Sequence, residues 1–215
     1  MTPYRTWLPL LAVVALSACS SIEYGVKEKF NVYKSDILVA DVGKARESQE
    51  DAREQFKDAL EQFATVVNIE ETGLKKAYDR LSGEYDDALE ASEEVSEQID
   101  EVENVADDLF AEWRSELPAI EDAALRADSE RQLGVTRTRY RELLASMKDA
   151  EASMQPVLKT LRTNVLYLKH SLNAQAIGSL RGTFANLEAD IDQLVERMNR
   201  SIERSNAFIA EMRSA

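Results

Sequence analysis

Twelve positions between Leu74 and Trp113 decide most of what this chain can become. Leu74, Tyr78, Leu81, Tyr85, Ala88, Ser92, Val95, Ile99, Val102, Ala106, Leu109 and Trp113 follow one another at alternating spacings of four and three residues, without a slip. That is a heptad stripe, and only an α-helix keeps such a stripe on one side. A helix of that length is stable in water only if its apolar stripe is buried against other helices. Ser92 is the one small polar member, and acidic residues fill the other faces.

Two further stripes supply the partners. One runs through Tyr140, Leu144, Met147, Glu151, Met154, Leu158, Leu161, Val165, Leu168 and Leu172, with Glu151 as its only interruption. The next runs through Ile177, Leu180, Phe184, Leu187, Ile191, Leu194 and Met198, then drifts to Ile202, Phe208 and Met212. The phase jumps between them, so a turn is expected near Ser171–Gln175 with Asn173 as N-cap. Earlier in the chain, Phe30, Tyr33, Ile37 and Leu38 open a less regular helix, and Ala52, Phe56, Ala59, Phe63 and Val66 continue it. Asn68 followed by Glu71 reads as a variant capping box, with Gly73 close by. Pro118 suits a helix start. Pro156 falls inside a running stripe and reads as a kink. Helices are therefore expected near 24–66, 69–116, 119–172 and 174–213. Short connections make neighbours antiparallel. The expected fold is all-α, an elongated antiparallel helical bundle or coiled coil of about four long helices. Only seven Gly and four Pro in 215 residues agree with long helices rather than many turns.

The charge is uneven. The net charge is −14. From Glu84 to Asp122 there are 16 acidic residues and one basic residue, Arg114, whereas Arg131 to Ala215 carries 13 basic and 9 acidic. An acidic chain is repelled by phosphate backbones, so nucleic acid is not an expected partner. If the chain reverses at Pro118, Arg131, Arg137 and Arg141 fall beside residues 95–105, and ion pairs with Glu97, Asp100, Glu101 and Glu103 are expected to set register.

The first residues have another character. Arg5 precedes the apolar run Leu8–Leu16, and Ser17 and Ala18 lead to Cys19, the only cysteine. A charged start, a short apolar core and a small-residue end describe an export signal. Nine apolar residues are too few for a membrane span, which needs about 20. Residues 16–19, LSAC, resemble the lipobox of bacterial lipoproteins, in which the cysteine thiol takes a diacylglyceryl group and cleavage follows. The resemblance implies cleavage between Ala18 and Cys19, lipidation of Cys19, and an envelope lipoprotein facing the periplasm. Ser20 after the cysteine favours the outer membrane, with the inner membrane as the other option. The expected division is a signal peptide over 1–18, a lipidated linker over 19–23 and a helical bundle over 24–215. One acyl chain anchors only marginally, and the two or three of a lipoprotein hold firmly.

Chemistry-bearing residues are sparse. A single cysteine excludes an internal disulfide and any CxxC site. His170 is the only histidine, without a second His as co-ligand. Its place in a last helical turn suits the helix dipole. Asp86–Asp87 and Asp107–Asp108 are carboxylate pairs on a helix, without a calcium-loop pattern. Gly178 and Gly182 form GxxxG, read as close helix approach near a turn. Trp113 and the Tyr residues of the second helix read as core-edge residues. GxxxxGK[ST], GxSxG and HExxH are all lacking. No metal, cofactor or catalytic residue is assigned.

The stretches KSDILVADVGKARESQEDAREQF, DDLFAEWRSEL, SERQLGVTRTRY and VLYLKHSLNAQAIGSL resemble a proteobacterial family, domain of unknown function 2959, over about residues 22–213. The resemblance implies a secreted or lipid-anchored helical protein and supplies no catalytic residues. The label "DNA repair ATPase" carried by some members finds no phosphate loop here. The expected role is a non-catalytic coiled-coil scaffold held to the membrane by its lipid, with an unknown protein partner or a second copy. The alternatives are a membrane-shaping or envelope-stress factor that dimerises on the lipid surface, and a hydrolase with an unrecognised carboxylate site.

Overall fold

The computed structural model describes residues 19–68, 73–171 and 174–214, with side chains from Lys34 onward except those of residues 174 and 176. It holds four long helices: α1 (Cys19–Val66), α2 (Leu74–Glu116), α3 (Ala123–His170) and α4 (Ala174–Ser214). A 3-10 turn, Leu117–Ala119, joins α2 to α3. Among the described residues there is no strand. At about 1.5 Å per residue, α3 is roughly 72 Å long.

The helices close into a ring. α1 packs on α2, α2 on α3, α3 on α4, and α4 back on α1. Cross-helix bonds show that each neighbour runs antiparallel. Lys34 pairs with Glu112 at 2.8 Å between α1 and α2. Lys148 reaches Asp100 at 3.1 Å between α3 and α2. Arg139 meets Glu211 at 3.0 Å between α3 and α4. Arg46 and Arg53 of α1 donate to Asn206 and Asn199 of α4 at 3.1 and 2.8 Å.

The stripes read from the sequence form the core. In α2, all the stripe positions except Tyr78, Tyr85 and Trp113 are buried, and those three pack against the core edge. In α3 the buried face is wider than one stripe: Leu143, Ala150, Val157 and Asn164 join Tyr140, Met147, Met154, Leu158, Leu161, Val165 and Leu168. The physical reason is the ring, since α3 must bury flanks against both α2 and α4. Ala52, Phe56, Ala59, Phe63 and Val66 of α1 are buried.

Several ends differ from expectation. α1 takes in residues 19–23, which are already helical. It starts fifteen residues before Lys34, while α2 ends four residues past Glu112, the partner of Lys34. The first turns of α1 therefore run about 16 Å beyond the end of α2. Asn68 does not cap α2. Its side-chain amide donates to the Ala64 carbonyl at 2.8 Å and closes the end of α1, and α2 starts only at Leu74. α3 starts at Ala123, not beside Pro118, because Asp122 offers a better cap: its Oδ1 accepts from the N–H groups of Ala124 and Leu125 at 2.8 and 3.0 Å. Those two bonds hold the Asp122 carboxyl below its usual range. Pro156 sits within α3, which continues through it. Residues 1–18, Glu71, Leu172 and Asn173 lie outside the described residues.

α4 is described to Ser214, three residues past Glu211, which lies level with Arg139 of α3. The first turns of α3 lie beyond the described part of α4. Between Ala123 and Arg139 only Leu133 is buried, and Leu125 and Val135 are 64% and 50% exposed.

Candidate functional site

The positions that sequence reasoning singles out for chemistry are scattered. Cys19 is the first residue of α1, and Ala18 lies outside the described residues. His170 ends α3, exposed, beside Lys169 in the last turn. Asp86, Asp87, Asp107 and Asp108 are all exposed. No group of three or more His, Cys, Asp or Glu able to hold a metal ion occurs among the described residues. No described helix is long and apolar enough to cross a membrane.

Gly178 and Gly182 are exposed, and a Cβ added at either would meet nothing within 4 Å. The expected close helix approach is therefore not what these glycines provide. Arg181 between them makes the local tie instead: its Nε donates to the Val67 carbonyl at 2.6 Å and joins α4 to the end of α1. Trp113 is a core-edge residue as expected, with its indole N–H donating to Ser129 Oγ at 2.9 Å.

The ion pairs between α2 and α3 fall on a different cation from the ones expected. Arg131 pairs with Asp128 on its own helix, and Arg139 with Glu211. Arg137 and Arg141 make no ion pair among the described residues. The cation that does reach α2 is Lys148, at 3.1 Å from Asp100 and 3.7 Å from Glu103, with Glu151 at 3.6 Å. With Lys148 level with Asp100, α3 begins well past the end of α2, so residues 117–122 carry the chain onward instead of reversing it at Pro118, and the register slides by about three turns. Burial works against the Lys148 ammonium, but Asp100, Glu151 and Glu103 together raise its pKa above the ordinary lysine range.

Two buried polar features are not legible in the sequence. Gln49 of α1 is 0% exposed, and neither its amide nitrogen nor its amide oxygen has a hydrogen-bond partner. The Arg46–Asn206 and Arg53–Asn199 bonds bracket it opposite Ser201 and Ser205 of α4, both fully buried. Ser205 Oγ donates to the Ser201 carbonyl, while Ser201 Oγ has no partner. Gln49 continues the α1 stripe between Val42 and Phe56, but an amide at such a position gives no sign of its burial. Tyr140 packs edge-on against Phe110 with ring centroids 5.3 Å apart. Burial, then the Glu103 and Asp107 carboxylates, push its phenol well above the usual range.

Electrostatically the molecule is two-faced. From Asp86 to Asp108 the exposed charges of α2 are all carboxylates, and the exposed charges of α3 are mostly cations. Glu84 shows the effect of crowding on the acidic side. Burial first, then Asp58 and Asp87, raise its pKa above the ordinary carboxylate value. A folded-state pKa above the unfolded one destabilises the folded chain at neutral pH, and the penalty is relieved as pH falls through the folded value. Glu84→Gln is therefore expected to raise the melting temperature at neutral pH. The gain should disappear below about pH 4, where the carboxyl is protonated in both states. A gain that does not change with pH in far-UV circular-dichroism melts would contradict this origin.

A shallow groove of about 260 Å³ lies between α3 and α4, bordered by Ala152, Ser153 and Pro156 on one side and Asp190, Gln193, Leu194 and Arg197 on the other. Arg197 is engaged by Asp149 across the helix pair.

Comparison with known proteins gives one match. The family model described as protein of unknown function (DUF2959) matches residues 23–212. No curated protein and no solved structure matches the chain.

Proposed function

The chain belongs to the DUF2959 family, and we propose that it is an exported bacterial lipoprotein: a non-catalytic coiled-coil scaffold or partner-binding protein, tethered to the envelope membrane through Cys19 and facing the periplasm. The observation that carries this reading is the lipobox-like sequence Leu16–Cys19 after a short apolar run. Two features of the fold support it. α1 is helical from Cys19 onward among the described residues and runs beyond the end of α2 before joining the bundle, as a helical stalk between anchor and scaffold would. The bundle presents long charged faces and a core filled by apolar side chains, which suits binding through surfaces.

The test is direct. The chain is expressed in a bacterium with radiolabelled fatty acid and the cells are fractionated. The wild type should carry label and sediment with the membranes. Cys19→Ala should lose the label entirely and leave the lipid-anchored fraction. Label retained by Cys19→Ala would sink the proposal. Proximity labelling from the bundle would then identify the partner.

A further inference from the structure

We infer that α2 and α3 together form a self-complementary surface that takes a second copy of this chain, side by side and in parallel. The two outward faces carry the argument. On α2, Asp86, Glu90, Glu93, Glu97, Asp100 and Asp107 lie at heptad spacing on the exposed side. The exposed residues from Asp86 to Asp108 include ten carboxylates and no cation. On α3, Arg141, Ala145, Lys148, Ala152, Lys159 and Arg162 lie at the same spacing, facing outward. Of the exposed acids of this stretch, Asp149 is turned toward α4, where Arg197 meets it, and Glu142 accepts a bond from Arg204 of α4 through its backbone carbonyl.

Within one chain the two stripes meet at one point. Only Lys148 reaches across, to Asp100 and Glu103. Arg141, Lys159 and Arg162 make no ion pair among the described residues and are exposed. Their register is nevertheless matched to α2. The helices are antiparallel and Lys148 is level with Asp100, so Arg141 is level with Asp107 and Arg162 with Asp86. Asp86–Asp107 of the acidic stripe and Arg141–Arg162 of the basic one span the same heights.

That match selects the symmetry. A two-fold axis parallel to the bundle keeps every height and sets α2 of each copy against α3 of the other, so the contact is isologous and closes as a dimer. A two-fold axis across the bundle would set α2 against α2 and place like charges together. Ala145 and Ala152 between the cations allow the helices to approach closely. The pairing does not depend on lipidation. Combined with the anchored reading, it leaves both Cys19 ends on the same side, where one membrane can hold both.

The experiment uses the full chain in cells. Two differently tagged copies are co-expressed, one carrying Asn104→Cys and the other Ala145→Cys, positions level with each other on facing stripes. Oxidation should give a mixed-tag dimer on non-reducing gels. A pair carrying Asp192→Cys, on exposed α4, should give none. Arg141→Glu with Arg162→Glu should abolish the cross-link, and adding Asp86→Arg with Asp107→Arg to the same chain should restore it. Circular dichroism of each purified variant checks that the exposed substitutions leave the helices intact. A cross-link between positions 104 and 145 in no higher yield than the Asp192→Cys control overturns the inference. So does loss without restoration, which would mean that the basic face meets some other anionic surface, such as lipid. Membrane release by Cys19→Ala is scored separately, so failure of the anchor and failure of the dimer are distinguishable.

Discussion

Phe63→Ala is expected to destabilise the bundle by about 3–5 kcal/mol, the range for truncating a fully buried aromatic side chain. Phe63 is 0% exposed. It stacks on Phe184 of α4 with ring centroids 6.1 Å apart and planes inclined by 21°. It also lies one turn from Val67, whose carbonyl takes the Arg181 bond. Removing the ring leaves a cavity at the junction of α1 and α4, where straight helices have little freedom to collapse inward. Since a domain of this kind is stable by only about 5–15 kcal/mol, the loss is a large share of the total. Leu125→Ala makes the contrast. Leu125 is as apolar as many core residues, yet it is 64% exposed, and its truncation should change stability by less than about 0.5 kcal/mol. Urea denaturation followed by circular dichroism measures both, and equal effects at the two sites would contradict the packing described.

The second large effect has the opposite sign. Gln49→Met should stabilise the fold, by about 1–3 kcal/mol, the desolvation penalty of a buried polar group left without a partner. Methionine has nearly the length and shape of glutamine, so the substitution fills the same space between α1 and α4 while removing both unpartnered amide atoms. The native residue destabilises the core but restricts its register. A lone polar residue in a helical core disfavours other registers, where it would lie against purely apolar neighbours. Gln49 lies level with the short polar residues Ser201 and Ser205, and sliding α1 by one heptad would bring it level with Met198 or Phe208 instead. The same denaturation series tests this, and a stability loss in Gln49→Met would contradict it.

Much of the fold is readable from side-chain periodicity. The stripe from Leu74 to Trp113 specifies α2 almost residue by residue, because a helix buried on one side has no other way to satisfy twelve positions at heptad spacing. The turn chemistry is harder. Asn68 reads as a cap for the helix after it and instead closes the helix before it, since an amide can serve as acceptor at one end or donor at the other. The ion pairs between α2 and α3 fall away from the expected arginines because register depends on how many residues a turn consumes. Residues 117–122 consume enough to bring Lys148, not Arg141, level with Asp100. The glycines at 178 and 182 fit a packing motif in spacing only; their place on the exposed side of α4 is set by Ile177 and Leu180, which turn inward. The acidic and basic stretches are visible as composition. That both align as outward stripes at the same heights requires the register of the folded chain.

The central reading, that Cys19 is a lipid anchor and residues 1–18 its address, can be tested most directly at the N-terminus itself. The protein is extracted from bacterial membranes with detergent, digested, and its N-terminal peptide analysed by mass spectrometry. The expected peptide begins at Cys19 and carries diacylglyceryl, with or without a further acyl chain on its amine. A peptide that begins at Met1, or one in which Cys19 bears a free thiol, would contradict that reading.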